Sequence, residues 1–356
     1  MSDALTPRSW APPIFELSTA ENDGTKDQRY DVRKTLAYVT EDLNNVNNVF
    51  MLYWITTTTG EKFHLTTNAG LRGSKMLGSF LSLNDLQTRT TRGASIIEGG
   101  SGNKDHLELR SATQTVIAPE DGDKWTGTQH TLEMQGVKLE TTLRPTGQHF
   151  YYGGSGCIQL TTRGPDPDYS TTLPGWSWYW TNPTTRIAGT LAIDGTRYEI
   201  DPEQSYSIFE RQWGNFHIGK GYYALWFWLS TGEVLISWNM EPSIDGVSEV
   251  KFASVWHPNG LHETIPVGPN SRASNVITSE KTGLKYFKDY FLDLPARNAS
   301  FSFTKWFEQD ELNPALPEQM GKYITIAESY GEGTGVWDGK EITVQGHVEQ
   351  LSTLRD

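Results

Sequence analysis

The fold class is decided by two stretches, YYALWFWLS (222–230) and EVLISWNM (233–240). Both are rich in aromatic and β-branched residues, which favour strands. Only Thr231 and Gly232 separate them, and this is the length of a tight hairpin loop. A two-residue loop would place Trp226 opposite Ser237 and Trp228 opposite Leu235. The sequence therefore predicts an antiparallel hairpin over 222–240.

The two faces of this predicted hairpin differ in polarity. One carries aromatic and small polar groups, namely Tyr222, Ala224, Trp226, Trp228, Leu235, Ser237 and Asn239. The other is apolar apart from one phenol, with Tyr223, Leu225, Phe227, Leu229, Val234, Ile236, Trp238 and Met240. The mixed face suits a pocket for a large apolar ligand, and the apolar face suits a barrel core. A purely structural role for both faces is the alternative.

Similar short runs with alternating polarity recur along the chain, whereas helical periodicity is hard to find. From residue 221 onward eight candidate strands follow one another, which is enough to close a small antiparallel barrel. The preceding part of the 356-residue chain holds a similar number. We therefore expect an all-β protein with two barrel-like domains in series, 1–218 and 219–356. The boundary is placed within GNFHIGKG (214–221), where glycines flank a short polar turn.

Composition and charge exclude several classes of partner. With 43 acidic and 30 basic residues the net charge is −13, which argues against nucleic acid and anionic lipid. The single cysteine, Cys157, cannot form an intramolecular disulfide. The chain has no apolar run of about 18 residues, so membrane insertion is not expected. Residues 1–30 lack the basic start and apolar stretch of a signal peptide, so a cytoplasmic location is expected unless a leader has been removed.

Motifs for metals and nucleotides are missing. The glycine-rich EGGSGNKD (98–105) lacks the GK[ST] ending of a phosphate loop, and GEGTGVW (331–337) opens no helical pattern. Both are predicted to be turns. The eight histidines never occur as H-x-H or HExxH. No metal and no nucleotide are therefore expected.

The segment SYSIFERQWGNF (205–216) places charged groups among aromatic residues. Alternation along a strand puts Phe209, Arg211 and Trp213 on one face and Glu210 on the other. A buried Glu–Arg pair that only fixes two strands is the interpretation favoured by chemistry alone. The functional alternative is that Glu210 is an acid with a shifted pKa and that Arg211 orients it or the substrate.

The last predicted strand, EITVQGHVEQLS (341–352), places His347 and Glu349 two residues apart on one face. A solvated polar face is the default interpretation. The alternative is a His–Glu pair that points into a cavity and handles protons.

Five segments together resemble the kievitone-hydratase-like family, which includes fungal proteins related to bacterial carotenoid hydratases and to lipocalin-like cyclases and Diels–Alderases. The segments are YWITTTTGEKFHLTTNAG (53–70), KMLGSFLSLNDLQT (75–88), ERQWGNF (210–216), GYYALWFWLSTGEVLISW (221–238) and GHVEQL (346–351). The most specific element is (D/E)RQWG, where the acid here is Glu210. The resemblance implies two lipocalin-like antiparallel β-barrels, a hydrophobic cavity at or near their junction and no cofactor. It also implies chemistry on prenyl, polyene or terpenoid substrates.

The function expected from these observations is acid–base-assisted hydration, dehydration or cyclisation of a hydrophobic small molecule in secondary metabolism. The alternatives are a Diels–Alderase that works by orienting its substrate, a lipocalin-like carrier without catalysis, and a carbohydrate-active β protein. The candidate catalytic residues are Glu210, Arg211, His347 and Glu349. The candidate substrate-binding residues are Trp54, Asn68, Trp213, Tyr222, Trp226, Trp228 and Asn239.

Overall fold

The computed structural model describes residues 14–16, 41–43, 45–118, 127–146, 150–154, 156–159, 176–216, 221–240, 250–315 and 326–352. In these ranges the chain forms strands, turns and two single-turn 3-10 helices, Tyr152–Gly154 and Pro295–Arg297. None of the helices described is long and apolar enough to span a membrane.

The strands are numbered in chain order. The first fourteen are β1 (Ile14–Glu16), β2 (Asn45–Thr56), β3 (Lys62–Arg72), β4 (Met76–Asp85), β5 (Thr90–Gly102), β6 (Glu108–Ser111), β7 (Gln114–Ile117), β8 (Thr128–Met134), β9 (Val137–Pro145), β10 (Phe150–Tyr151), β11 (Cys157–Gln159), β12 (Trp176–Ile193), β13 (Thr196–Glu199) and β14 (Tyr206–Asn215). The others are β15 (Gly221–Leu229), β16 (Val234–Met240), β17 (Val250–Trp256), β18 (Leu261–Pro266), β19 (Arg272–Thr278), β20 (Lys285–Leu294), β21 (Ala299–Lys305), β22 (Asn313–Pro314), β23 (Ile326–Trp337) and β24 (Lys340–Ser352).

The first sheet closes on itself. Its strands follow the order β12-β14-β2-β3-β4-β5-β6-β7-β8-β9, and β9 pairs again with β12. The 18-residue β12 makes this closure possible, because its first part pairs with β14 and its second part with β9. Aliphatic and aromatic side chains such as Met51, Leu65 and Leu191 fill the interior. Closure removes the unpaired edges that an open sheet exposes.

The second sheet has ten antiparallel strands in the order β1-β18-β17-β16-β15-β24-β23-β21-β20-β19. Strand β1 joins its edge from the N-terminal part of the chain, and β22 crosses back to pair in parallel with β5 of the first sheet. The prediction of an all-β fold is confirmed, and the first sheet is a closed barrel. The prediction of eight strands for the second unit is wrong, because β1 and β19 join the eight predicted strands in a sheet of ten. The predicted boundary at residue 218 lies outside the described residues and stays a prediction.

The hairpin of β15 and β16 exists, but its predicted register is wrong by one residue. The loop has three residues, Ser230 to Gly232, because the amide of Leu229 already bonds to the carbonyl of Glu233. Gly232 has φ of 100°, the left-handed conformation that three-residue hairpin loops require. Trp226 therefore pairs with Ile236, and every side chain of β16 moves to the opposite face.

Two glycine-rich segments predicted to be turns are strands. Strand β5 continues to Gly102, and β23 runs through GEGTGVW. A Cβ on Gly333 or Gly335 would lie 2.2 or 2.3 Å from a carbonyl oxygen of β21. Glycine is therefore required there for close strand contact rather than for a turn. Strand β19 was also not predicted.

A layer of aromatic side chains joins the two sheets. It includes Phe50, Trp54 and Tyr179 of the first sheet and Trp226 and Trp238 of the second. Hydrogen bonds cross this layer, for example from Ser82 Oγ to the Glu328 carbonyl (2.9 Å) and from the Tyr330 amide to Asn84 Oδ1 (2.8 Å). The two units therefore share one buried interface.

Candidate active site

A cavity of about 510 Å³ lies in this interface. Both sheets contribute to its wall, as the resemblance implied. The first sheet and its neighbouring segments supply Val46, Asn48, Phe50, Asn68, Gly70, Arg72, Gly78, Ser79, Phe80, Ser95, Ile96, Ile97, Tyr179, Glu210, Gln212 and Phe216. The second half of the chain supplies Tyr222, Trp238, Leu312, Ile326, Glu349 and Leu351.

Cross-strand pairing orders the wall of the first sheet into rows. One row runs Glu210, Phe50, Asn68, Phe80 and Ser95 across five adjacent strands. The next row runs Gln212, Asn48, Gly70, Gly78 and Ile97. The alternation of side chains along each strand brings all of these residues to the same face. A carboxyl group therefore lies at one end of these two rows, whose other members are neutral.

Glu210 is buried, with 3% of its surface exposed, and accepts a hydrogen bond from the hydroxyl of Tyr152. Burial raises the pKa of its carboxyl to about 8 because desolvation penalises the charged form. The hydrogen bond from Tyr152 opposes this shift, and the charge of Glu349 adds to it. Glu210 therefore holds its proton near neutral pH.

Glu349 faces the same cavity from β24. It accepts a hydrogen bond from the hydroxyl of Tyr222 and is hydrogen-bonded to Glu328. Burial raises its pKa to about 7, while these two hydrogen bonds lower it. Two Glu–Tyr pairs, one from each sheet, thus face one space.

Behind Glu349 lies a chain of buried titratable groups. Glu328 Oε2 is 2.7 Å from His347 Nε2, and both side chains have no exposed surface. The rings of His347 and His64 stack at 5.0 Å. Burial and the nearby His64 hold the pKa of His347 well below its usual value. Among the described residues no group of three or more His, Cys, Asp or Glu side chains is arranged to hold a metal ion.

Aromatic rings surround the two carboxyls. The ring of Trp238 lies 5.3 Å from Tyr179, 5.5 Å from Tyr222 and 6.1 Å from Tyr152, measured between centroids. Its Nε1 is buried and has no hydrogen-bond partner among the described residues. Asn68 Oδ1 is also buried and also has no hydrogen-bond partner among the described residues. The wall therefore offers a substrate π faces, a free donor at Trp238 and a free acceptor at Asn68.

Six predicted site residues meet at this place. Asn68, Glu210, Tyr222 and Glu349 line the cavity. Trp226 and His347 lie just behind its wall, with ring centroids 5.4 Å apart. The prediction that His347 and Glu349 share one face of the last strand agrees with this arrangement, and their roles stay predictions.

Arg211 and Trp213 do not reach the cavity, because both point into the interior of the first sheet. Arg211 donates to the carbonyl of Asn48 and to Asn47 Oδ1, each at 2.5 Å, and burial lowers the pKa of its guanidinium to about 9. Trp213 stacks on Trp178. The prediction that Arg211 orients Glu210 is therefore wrong, and Tyr152 occupies that position.

Three further predicted residues lie elsewhere. Trp54 and Trp228 belong to the interface layer, with ring centroids 4.1 Å apart, but neither lines the cavity. Asn239 donates to Ser237 Oγ on the face turned away from the cavity. The register error explains why Asn239 was predicted to bind substrate. A shift of one residue exchanges the positions of Asn239 and Trp238 on the two faces of the hairpin.

Sequence reasoning missed Tyr152, Glu328 and Trp238. A three-residue loop in the hairpin would have identified Trp238. Pairing IAESYGE (326–332) with the last strand would have placed Glu328 near His347. Nothing in the sequence around Tyr152 indicates its contact with Glu210, because 58 residues separate them.

Comparison with known proteins agrees with this fold. No family model matches the chain. Dehydratase asqC of Emericella nidulans is 23% identical over 316 residues, which cover 83% of this chain and 82% of that protein. The crystal structure of kievitone hydratase from Nectria haematococca aligns with a TM-score of 0.76 at 19% identity, over 96% of this chain and 98% of that one. AttH from Nitrosomonas europaea aligns with a TM-score of 0.67 at 15% identity, over 87% and 93%.

The two structural alignments extend over 96% and 87% of the chain and therefore include strands of both sheets. The lipocalin-like fold is thus confirmed. Of these relatives, one is named a dehydratase and one a hydratase. The resemblance of this chain to the kievitone-hydratase-like family is confirmed.

Proposed function

We propose that the protein is a cofactor-independent hydratase or dehydratase of natural-product biosynthesis that acts on a hydrophobic prenylated, polyene or terpenoid intermediate. One observation carries the proposal. Glu210 and Glu349 come from different sheets, each hydrogen-bonded to a tyrosine, and both face one cavity whose wall includes aromatic rings. Addition or removal of water needs one group that gives a proton and one that takes a proton, and this pair can supply both.

In the dehydration direction, Glu210 donates its proton to the hydroxyl of the substrate. The C–O bond breaks, and water leaves with both of its electrons. Glu349, as a carboxylate, takes a proton from the neighbouring carbon, and the electrons of that C–H bond form the double bond. Hydration is the reverse. The pKa values of about 8 and about 7 favour an acidic Glu210 beside a partly ionised Glu349 near neutral pH.

The aromatic wall supports a positively charged intermediate. When the C–O bond breaks before the C–H bond, positive charge develops on carbon, and the faces of Trp238 and Tyr179 can stabilise it. Such cation–π contacts are worth about 0.5–2 kcal/mol each, with the larger values where water is excluded. Trp238 Nε1 and Asn68 Oδ1 are free to hydrogen-bond the substrate and fix its position.

The proposal is tested by isotope exchange. Catalytic amounts of protein are incubated with tertiary and allylic prenyl alcohols in H₂¹⁸O, and the products and recovered alcohol are analysed by mass spectrometry. We expect loss of water together with ¹⁸O in the recovered alcohol, because the reaction is reversible. Glu210→Gln and Glu349→Gln should abolish both signals. Glu341→Gln is the matched control, because Glu341 lies on the same strand as Glu349 but faces solvent.

Other outcomes identify the alternatives. Cyclisation of a polyene without isotope exchange indicates a cyclase or a Diels–Alderase. Binding at a stoichiometric ratio without turnover indicates a carrier. Either outcome contradicts the proposed water chemistry.

A further inference from the structure

A single exposed cation stands at the rim of the cavity. Arg72 lines the cavity together with Gly70 and Asn68, which precede it at two-residue steps along β3. Alternation places all three on the cavity face. Within the described part of the chain Arg72 takes part in no ion pair, although the protein carries a net charge of −13. The guanidinium is therefore available to an anion from outside.

The wall between this rim and the carboxyl row is hollow. Gly70 and Gly78 pair directly with each other on β3 and β4, so two neighbouring wall positions lack side chains. A Cβ on Gly78 would meet only the carbonyl oxygen of Gly70, at 3.8 Å, whereas a Cβ on Gly70 would lie 2.6 Å from Asn48 Oδ1. The open space therefore lies over Gly78, and neither residue has a left-handed φ. The backbone does not require glycine at Gly78. What glycine provides there is space against which a flat group can lie.

The spacing of these features sets the length of a ligand that would reach from Arg72 to the row of Glu210. Asn68 shares the row of Glu210, and Arg72 lies four residues further along the same strand. At a rise of about 3.4 Å per residue, the rim is about 14 Å from the carboxyl row. The hollow lies midway between the two.

We propose that this cavity takes an amphipathic acid, whose anionic group binds Arg72, whose ring lies on the Gly78 backbone beside Asn48, and whose reacting apolar end reaches Glu210 and Glu349. The assignment of the reacting end rests on the proposed function, whereas the anionic group and the ring are properties of binding alone. Guanidinium is well suited to this role, because it stays charged and its fork of donors matches carboxylate, sulfonate and phosphate groups.

The test uses two fluorescent probes that differ in one group. 8-Anilinonaphthalene-1-sulfonate carries the ring and an anion, and N-phenyl-1-naphthylamine carries the ring only. We expect the wild-type protein to bind the sulfonate more tightly. Arg72→Gln should weaken sulfonate binding by about 3- to 10-fold, the range of a partly exposed charged contact, and leave the neutral probe unchanged. Lys62→Gln is the control, because Lys62 is an exposed cation at the other end of the same strand.

The variant Gly78→Val tests whether the probes bind in the hollow. Its side chain fills the hollow, so both probes should bind less tightly, and Gly78→Ala should give a smaller effect in a fold checked by circular dichroism. Equal sulfonate affinity in Arg72→Gln and wild type would overturn the assignment of Arg72 as the partner of the anionic group. Unchanged binding of both probes in the folded Gly78 variants would overturn the hollow as their site. Neither result depends on turnover, so failure here is distinct from failure of the isotope-exchange test.

Discussion

Glu328 and His347 face each other on adjacent strands, with Oε2 and Nε2 2.7 Å apart and no exposed surface on either side chain. Burial lowers the pKa of His347 and raises that of Glu328, so both shifts favour the uncharged forms. Because His347 Nδ1 has no partner among the described residues, the arrangement fits an Nε2–H that donates to Glu328. The proton of Glu328 is then shared with Glu349, as in carboxyl pairs that titrate together.

Removal of Glu328 is therefore expected to shift the pH profile rather than to stop the reaction. The hydrogen bond from Glu328 lowers the pKa of Glu349. Glu328→Leu should raise that pKa above about 7, and a base with a higher pKa becomes active only at higher pH. The rising limb of kcat against pH should move to higher pH. Glu328→Gln keeps a donor and should shift it less.

The matched control for Glu328 is Glu332→Gln, which changes an exposed carboxyl on the same strand. Its profile should overlay that of the wild type. Identical profiles for the Leu and Gln variants of Glu328 would show that the shared proton has no part in the reaction.

Tyr152→Phe should shift the pKa of the other carboxyl, that of Glu210, in the same direction. The hydroxyl of Tyr152 lowers the pKa of Glu210, so its removal should raise that pKa above about 8. An acid works in its protonated form, and the falling limb of the profile should therefore move to higher pH. Glu210→Gln should instead lower kcat by about 10²–10⁴-fold at every pH. Tyr198→Phe, in the first sheet, is the control, and an unshifted limb in Tyr152→Phe would exclude Tyr152 as the partner.

The sequence was sufficient for the fold class and for several members of the site, for physical reasons that can be named. Alternation alone places Glu210 and Trp213 on opposite faces of one strand and places His347 and Glu349 on the same face of another. This follows because side chains along a strand alternate with a period of two residues. The loop length of the hairpin is not fixed in this way, and one additional residue exchanged Trp238 with Asn239. Tyr152 and Glu210 meet only through tertiary packing, which no local pattern contains.

Stability should depend on pH through Glu210. The unfolded carboxyl titrates near its ordinary value of 4.5 and the folded one at about 8, so between these values only the native state holds the proton. The stability contributed by this proton is lost as pH rises, at roughly 1.4 kcal/mol per pH unit, and the loss is complete above about pH 8. Glu210→Gln should therefore match the wild type at pH 4.5 and exceed its Tm at pH 8.

Differential scanning calorimetry at the two pH values measures this effect. Glu341→Gln should show no such dependence, because that carboxyl is exposed. A Glu210→Gln protein that is less stable than the wild type at pH 8 would mean that Glu210 is ionised in the native state.

Variants of Trp238 and Trp213 distinguish the cavity from the interior of the first sheet. Trp238 lines the cavity beside Tyr179 and Tyr222, whereas Trp213 lies in the interior of the closed sheet against Trp178. Trp238→Phe keeps an apolar ring but removes the free Nε1 and the larger π face. Loss of about 1.4 kcal/mol of cation–π and hydrogen-bond stabilisation in the transition state should lower kcat about tenfold. Trp213→Phe removes core volume, so it should lower Tm and leave kcat within about twofold. Steady-state kinetics and thermal melts on both variants make the comparison. A Trp213 variant that loses kcat while the Trp238 variant keeps it would move the site to the interior of the first sheet, on the side of Arg211.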